Sequence, residues 1–263
     1  MSRKSPILNQ PCAGWQADLP PANDPISIKA RPSASTNSQS STYLELSRNV
    51  STRRNITLLL GTAQLITSII FFTWSTKMLF SNNFFGFDPT MIGLYVGAII
   101  FVIIAPAFLL GAAILPPRDC PIRFNRLRRK VYIYEFKQNW LTFPTRWRVT
   151  THSFDWDDLH AEFWRRRAFT PQGGLIITWG VSIAVVKPKT NVVITRFPLT
   201  VCQDEGSSWD YVRTYMQHGP DALPPIEKLN DPNDVPPHNL ALRLAPKVKW
   251  PAAMDMESRS GPT

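Results

Sequence analysis

The residues best suited to chemistry form an acidic cluster in the second half of the chain. Asp155, Asp157 and Asp158 precede Glu162, and three arginines, Arg165–Arg167, follow directly. Two carboxylates separated by one residue can hold a hard metal ion through their oxygens. The chemistry that would suit this cluster is metal-assisted group transfer.

The elements around the cluster argue against that chemistry. Asp155-Trp-Asp157 matches only superficially the acidic pair with which many sugar transferases hold a metal. Those enzymes need a nucleotide-binding fold, which a domain of about 100 residues built from short strands does not supply. We expect the carboxylates to face water on a turn and an edge strand, where charge discourages unwanted strand pairing. They remain the one candidate enzymatic site.

Other catalytic and metal-binding patterns are missing from the sequence. It contains no nucleophile elbow, zinc-protease helix, phosphate-binding loop or dinucleotide fingerprint. Its four histidines and three cysteines show no shared metal-ligand spacing, and the cysteines do not form a disulfide framework. We therefore predict that the protein is not an enzyme and has no cofactor and no metal site.

An aromatic and basic stretch next to the acidic cluster suits protein binding. Tryptophan and arginine dominate the residues that contribute most to interface affinity. Of the tryptophans in the second half of the chain, only Trp164 stands directly before a run of arginines. The predicted partner-binding residues are Trp164, Arg165, Arg166 and Arg167.

Two apolar runs precede this region and predict a membrane hairpin. Residues 56–80 and 91–115 each contain 25 residues, and the loop between them, residues 81–90, is too short for a domain. A helix needs about 20 residues to cross a bilayer core of about 30 Å. The mid-membrane positions carry no charged side chain, so we expect an anchor without a conduction pathway.

The distribution of basic residues predicts the orientation of the hairpin. The loop contains no Lys or Arg, whereas nine flank the two runs, and such residues favour the cytoplasmic side. Both termini are therefore expected in the cytoplasm. The flanking residues are Arg48, Arg53, Arg54, Arg118, Arg123, Arg126, Arg128, Arg129 and Lys130.

The basic residues after the second run predict contact with membrane lipids. Anionic headgroups attract basic side chains that lie near the bilayer surface. A nucleic-acid site is disfavoured because the segment has no zinc-finger or basic-zipper pattern. The predicted headgroup contacts are Arg123, Arg126, Arg128, Arg129 and Lys130.

Small residues in the two runs predict helix–helix contacts. Gly93 and Gly97 are four residues apart in the second run, and Gly61, Ser68 and Ser75 follow a spacing of seven in the first. Small residues let transmembrane helices approach closely. Two interpretations stay open: packing of the two runs within one hairpin, or a homodimer through the glycines.

Composition divides the chain into four parts. Residues 1–47, rich in Pro, Ser and Thr, are expected to form a disordered N-terminal tail. The hairpin with its flanks occupies residues 48–118, and a β-rich cytoplasmic domain occupies residues 119–218. Residues 219–263 form a Pro-rich C-terminal extension, expected as an extended wrap or tail.

Alternation of apolar and polar residues predicts an antiparallel β-rich domain closed by a C-terminal helix. The helix is expected at residues 208–218, with its apolar residues on one face, and residues 155–167 are compatible with a strand or a short helix. The fold class is therefore an α+β membrane protein with a small barrel or split sheet, as in pleckstrin-homology-like domains. The predicted strands are residues 131–137, 140–143, 145–151, 175–179, 181–187 and 191–197.

Four short segments of the sequence resemble a known family. They are Ile122-Arg-Phe-Asn-Arg126, Arg129-Lys-Val-Tyr132, Phe154-Asp-Trp-Asp-Asp-Leu159 and the helix Trp209–Pro220. The chain is similar, over roughly residues 50–225, to uncharacterised two-span bacterial membrane proteins that are described as a domain of unknown function. Members often occur near clusters of type VI secretion effectors, and the resemblance implies an immunity or adaptor role.

Three hypotheses from different classes follow. The first is an inner-membrane-anchored protein that binds another protein, such as a type VI effector, and acts by occlusion. The second is a cytoplasmic module that senses anionic lipid. The third is a structural subunit of a larger membrane complex, with a homodimer as one form.

Overall fold

The computed structural model describes residues 5–26, 35–48, 51–81, 89–138, 147–170, 173–200, 203–226 and 228–262. The strand expected at residues 140–143 and most of the predicted loop at 81–90 lie outside the described residues. The strands are β1 (Trp15–Asp18), β2 (Thr36–Gln39), β3 (Tyr43–Leu46), β4 (Ile122–Asn125), β5 (Lys130–Lys137), β6 (Arg148–Asp155), β7 (Leu159–Phe169), β8 (Leu175–Val186) and β9 (Val193–Pro198). The helices are α1 (Ser51–Ser81), α2 (Pro89–Ile114), α3 (Ser207–His218), α4 (Leu240–Leu244) and α5 (Ala252–Arg259).

The strands form two antiparallel sheets, which confirms the α+β class. One sheet has the order β1-β7-β8-β9 and the other the order β2-β3-β4-β5-β6. Within the described part of the chain no ladder joins the two sheets, so they form a split sheet and not a closed barrel. The ambiguous segment at residues 155–167 is a 3₁₀ turn, Trp156–Asp158, followed by β7. The two strands expected at residues 175–187 are one continuous strand, β8.

Both sheets and α3 share a single core. Alternate residues of β8 point inward, as Val181, Ile183 and Val185 are all buried. The amphipathic helix α3 lies where the sequence predicts it and covers this core with its apolar face. Trp156 and Trp209 are fully buried with their ring centroids 5.1 Å apart. Burying one such side chain stabilises the fold by about 3 kcal/mol.

The N-terminal segment is part of this fold, so the prediction of a disordered tail at residues 1–47 is wrong for the described residues. It supplies three strands, β1 to β3. Leu44 and Leu46 are buried in the core, because β3 pairs with β4 in register, with Leu44 opposite Phe124. A strand of four residues beside a Pro- and Ser-rich tract has too little pattern to be recognised before its partner strand is known.

The C-terminal extension is ordered at two helices that pack on other parts of the fold. Helix α4 packs against the ends of α1 and α2, where Ala241 joins Leu58 and Ala113 in a small apolar cluster. Helix α5 packs against β4 and β5. The extension is therefore a wrap and not a free tail, and it contacts both the apolar helices and the five-stranded sheet.

Helices α1 and α2 are long and apolar enough to cross a membrane. The qualifying segments are Arg54–Lys77, with 24 residues, and Tyr95–Ile114, with 20 residues. Most of their apolar side chains are exposed in the protein alone, as a lipid-facing surface would be. These are the two runs that the sequence identifies as spans.

Two small residues of α1 lie in its contact with α2. A Cβ atom on Gly61 would lie 3.1 Å from side-chain atoms of Leu109 and Leu110. Ser68 is also buried on α1. Gly93 and Gly97 have no described atom within 4 Å of their Cβ positions, so the interpretation that packs these glycines against α1 within one hairpin is not borne out among the described residues. They lie on the open side of the hairpin.

Candidate functional site

The predicted partner-binding stretch lies where β7 and β8 extend beyond their neighbours β1 and β9 and form a two-stranded ribbon. Arg165, Arg166 and Arg167 are exposed, whereas Trp164 is only partly exposed. The guanidinium carbon of Arg166 lies 5.1 Å from the centroid of the Trp164 ring, and Arg166 Nε donates to the carbonyl of Ala13 at 3.1 Å. The arginines, and not the indole, form the accessible surface here.

Arg123, a predicted lipid contact, is buried in the protein. Only 3% of its surface is exposed. Its Nε donates to Glu45, and its Nη1 donates to Asp255 at 2.6 Å and to Ser258 at 2.9 Å. The guanidinium also lies 4.5 Å from the ring centroid of Trp250. The headgroup prediction is wrong for Arg123, because a guanidinium bound by two carboxylates inside the fold does not reach a bilayer.

The other four predicted lipid contacts lie at the β4–β5 turn and bind protein groups. Arg129 pairs with Asp157 at 2.5 Å, and Lys130 pairs with Glu257 at 3.4 Å. Arg128 donates to the carbonyls of residues 260 and 261 at the end of the chain, and Arg126 lies beside Gly219. These basic residues mainly hold the C-terminal extension and the neighbouring turns in place.

Two carboxylates of α5 are kept ionised by this arrangement. A hydrogen bond from Tyr132 lowers the pKa of Glu257, and Lys130 adds to the effect. Burial alone would raise the pKa of Asp255, but the hydrogen bond and charge of Arg123 lower it overall. Both carboxylates in their charged form therefore contribute to the attachment of α5, alongside the hydrogen bonds from Asn125 to the carbonyls of Ser258 and Ser260.

The acidic cluster does not converge on one site. Asp157 binds Arg129 and also accepts from Asn23 at 2.7 Å. Glu162 is fully buried and accepts from Arg196 Nε at 3.0 Å and from the backbone N–H of Cys12 at 3.1 Å. Among the described residues, no group of three or more His, Cys, Asp or Glu is arranged to hold a metal ion. Asp157 and Glu162 thus bind different structural partners.

A groove lies between β6 and β9, the outer strands of the two sheets. In the described part of the chain β6 and β9 each pair on one side only, so each leaves a free edge. We call the space between them the β6–β9 groove, a cavity of about 240 Å³. Its lining residues are Ile133, Glu135, Lys137, His152, Phe154, Ile194, Thr195, Arg196 and Phe197.

The floor of the β6–β9 groove reaches the core and carries an unpaired polar atom. Ile133 and Phe197 belong to the core and line the groove from below. His152 stacks on Phe154 with the two rings 6.2 Å apart and tilted by 19°. Its Nε2 is buried and has no hydrogen-bond partner among the described residues. A buried polar atom of this kind normally finds a partner.

Sequence reasoning missed the β6–β9 groove because it depends on strand order. The residues of β6 and β9 show ordinary strand alternation, and nothing local marks them as outer strands. In β9, alternation offers one signal, the aliphatic residue Ile194 at a strand position that faces outward. In the structure 62% of its surface is exposed.

Comparison with known proteins finds one family. A protein-family model, described as a family of unknown function (DUF6708), matches residues 99–262. This match begins inside α2 and includes β4 to β9, α3 and the C-terminal wrap. No curated protein and no solved structure matches the chain.

Proposed function

The chain belongs to the DUF6708 family of unknown function, and from this premise we propose that it is a membrane-anchored, non-enzymatic protein-binding protein. Helices α1 and α2 are the anchor in this proposal, and the β-rich domain is the binding module. Its partner is another protein, which docks in the β6–β9 groove.

The observation that carries the proposal is the pair of free strand edges beside one apolar floor. An exposed edge presents unpaired N–H and C=O groups and accepts an additional strand. In the β8–β9 ladder the N–H of Leu199 donates to Val181. Since antiparallel bonding alternates along a strand, the backbone groups of Arg196 face away from β8 and toward the groove. This edge is therefore available to an extended segment.

The groove specifies the chemistry of its occupant. An extended strand places alternate side chains on the same side. Apolar side chains of the occupant would enter above Ile133 and Phe197, while a polar group reaches His152 Nε2. The two cations that line the groove are balanced by acids, since Glu135 lines the groove with Lys137 and Arg196 pairs with Glu162. We expect an extended segment with alternating apolar residues and one polar side chain that bonds to His152 Nε2.

The position of the groove fits action close to a membrane. Strand β6 follows Trp147, whose ring centroid lies 5.6 Å from that of Phe108 on α2. Phe136, on β5, lies 6.3 Å from the same tryptophan. One end of the groove is thus next to the base of the helical hairpin, where a docked partner would be held at the bilayer surface.

The specific role that we propose is immunity or adaptor function toward a type VI secretion effector. The protein would be located in a bacterial inner membrane with both termini in the cytoplasm. Binding in the groove would act by occlusion of the effector and needs no catalytic group. The resemblance to proteins found near effector clusters supports this role, and the free edges supply a physical means of binding.

A second candidate is a structural subunit of a membrane complex. Gly93 and Gly97 lie on the open side of α2 and leave room for another helix to approach. A homodimer or a hetero-complex through this face is compatible with the anchor. Blue-native electrophoresis of the solubilised protein separates the two candidates, since a monomer alone would count against the subunit role.

The proposal is tested by deleting the gene with and without its neighbouring effector gene and measuring self-intoxication between sister cells. Killing of the single mutant that disappears in the double mutant supports immunity. Complementation then tests the groove, with Ile194→Lys expected to fail because charge on an edge blocks strand addition. Val192→Lys is the matched control, since Val192 is similarly exposed but lies outside the groove lining. Equal protection by both variants would remove the groove from the mechanism.

A further inference from the structure

We propose that the tip of the β7–β8 ribbon docks on the membrane surface and binds anionic lipid headgroups. This inference rests on the proposed insertion of α1 and α2 in a bilayer. It assigns a lipid contact to residues outside the β4–β5 turn, and it gives the exposed arginines of β7 a role separate from the β6–β9 groove.

Three large residues next to the ribbon tip are apolar and exposed. Phe169 has 76% of its surface exposed, and its cross-strand neighbour Leu175 has 52%. Ile176, next along β8, is 45% exposed. Three large apolar side chains at the end of a projecting ribbon are costly to leave in water, because nothing in the described fold covers them.

The ribbon behind the tip is basic and contains no acid. Arg165, Arg167 and Phe169 lie on one face of β7, because successive strand residues alternate between faces. Residues 163–180 include three arginines and no Asp or Glu. An apolar tip followed by a row of cations matches a bilayer in chemistry, since its anionic headgroups lie directly outside the hydrocarbon.

The direction of β7 bears on where the ribbon points. One end of the β-rich domain lies beside α2, and β7 begins at the opposite end. At the end remote from α2, Lys130 pairs with Asp155 and Leu159 pairs with Val185. A single 3₁₀ turn connects β6 to β7, so the end of β6 and the start of β7 lie together at this end. The other end of β5 and β6 lies beside Phe108 of α2, through Trp147. Strand β7 therefore starts at the end of the domain that is remote from α2, and its 11 residues lead away from that end.

A hydrogen bond near the start of α1 gives a point from which the length of the ribbon can be measured. Arg48 donates through Nη1 to the carbonyl of Pro198 at 3.2 Å, and Pro198 pairs with Ser182 on β8. Leu175 lies seven residues beyond Ser182, which corresponds to about 23 Å at about 3.3 Å per residue. From a point that is tied to the segment before α1, the ribbon is long enough to reach a bilayer that contains α1.

The test uses the full-length chain in lipid nanodiscs with an environment-sensitive fluorescent amino acid at position 169. Nanodiscs of phosphatidylcholine alone are compared with nanodiscs that also contain phosphatidylglycerol. We expect a blue-shifted emission and loss of quenching by aqueous iodide at Phe169, both stronger with the anionic lipid. The same label at Thr190, on the exposed β8–β9 turn, should remain fully quenched in both.

Two charge-reversal variants separate specific docking from net charge. Arg165→Glu with Arg167→Glu should abolish the shift at position 169, while Lys187→Glu with Lys189→Glu changes the net charge equally at the other end of β8 and should preserve it. A label at Phe101 on α2 reports insertion of the anchor independently. If Phe101 is shielded by lipid but Phe169 is quenched like Thr190, the ribbon inference is overturned while the anchor stands.

Discussion

Arg123 donates to Asp255 at 2.6 Å and thereby joins β4 to α5, 132 residues further along the chain. The same guanidinium binds Glu45 on β3, so one buried cation connects the N-terminal strands, the central sheet and the C-terminal wrap. Three segments that appear unrelated in the sequence depend on this single side chain. Arg123 is consequently a structural residue and not a surface contact.

The first prediction concerns the stability that Arg123 provides. Arg123→Met should lower the free energy of unfolding by about 3–5 kcal/mol, because Glu45 is left as a buried, unpaired charge. The measurement is denaturant unfolding of the purified chain in detergent. Arg259→Ala is the control, since Arg259 also pairs with Asp255 but is 52% exposed, and it should cost at most about 1 kcal/mol. Equal effects of the two substitutions would contradict the assignment.

The second prediction concerns the pH dependence of α5 attachment. The pKa values of Asp255 and Glu257 are lowered from their ordinary values of 3.8 and 4.5 in the folded chain, so the folded state binds fewer protons than the released state. The stabilisation is therefore present above the ordinary pKa values and is lost as the pH falls through the lowered ones. The protection of Ala252–Arg259 against hydrogen exchange, corrected for the intrinsic rate at each pH, should fall at acidic pH before that of β8 does.

A double variant distinguishes this effect from general acid unfolding. With Asp255→Asn and Glu257→Gln, the protection of α5 relative to intrinsic exchange should be low at neutral pH and nearly independent of pH. Exchange that keeps the pH profile of the unmodified chain would show that other groups control the attachment.

The third prediction concerns the thiol of Cys12. Burial, together with the neighbouring negative charge of Glu162, raises the pKa of Cys12 to about 11. Since the thiolate is the nucleophile, this thiol should resist alkylation by iodoacetamide at pH 8 in the folded chain and react rapidly in urea. Mass spectrometry of the modified peptide gives the rate. Rapid alkylation without denaturant would show that the segment around β1 opens readily.

Local patterns in the sequence predicted those parts of the fold that local interactions determine. The apolar length of α1 and α2 and the one-sided apolar face of α3 are such patterns, and the structure places these helices where they were expected. Strand β3 was not predicted, because Tyr43–Leu46 can be recognised as a strand only once its pairing with β4 is known. The prediction for the basic residues was wrong for a related reason. In the sequence Arg123 looks like a residue that flanks a membrane span, and its partner Asp255 on α5 is known only from the structure.

The candidate sites were less predictable than the fold for the same physical reason. The exposed arginines of β7 were identified from composition, because a charged run is visible in the sequence. The β6–β9 groove was not, because two outer strands from different sheets border it and no pairing order can be derived from alternation alone.

The last prediction concerns the contact between α1 and α2. Gly61→Leu should destabilise the hairpin, because a side chain there would overlap Leu109 and Leu110, and overpacking typically costs about 1–3 kcal/mol. Gly93→Leu is the matched control, since it adds the same side chain at a position with open space in the described structure. Thermal unfolding in detergent should separate the two variants. Blue-native electrophoresis of Gly93→Leu adds a second result: loss of an oligomer at unchanged thermal stability would locate a helix contact on the open face of α2, and an unchanged pattern would leave the hairpin as an anchor alone.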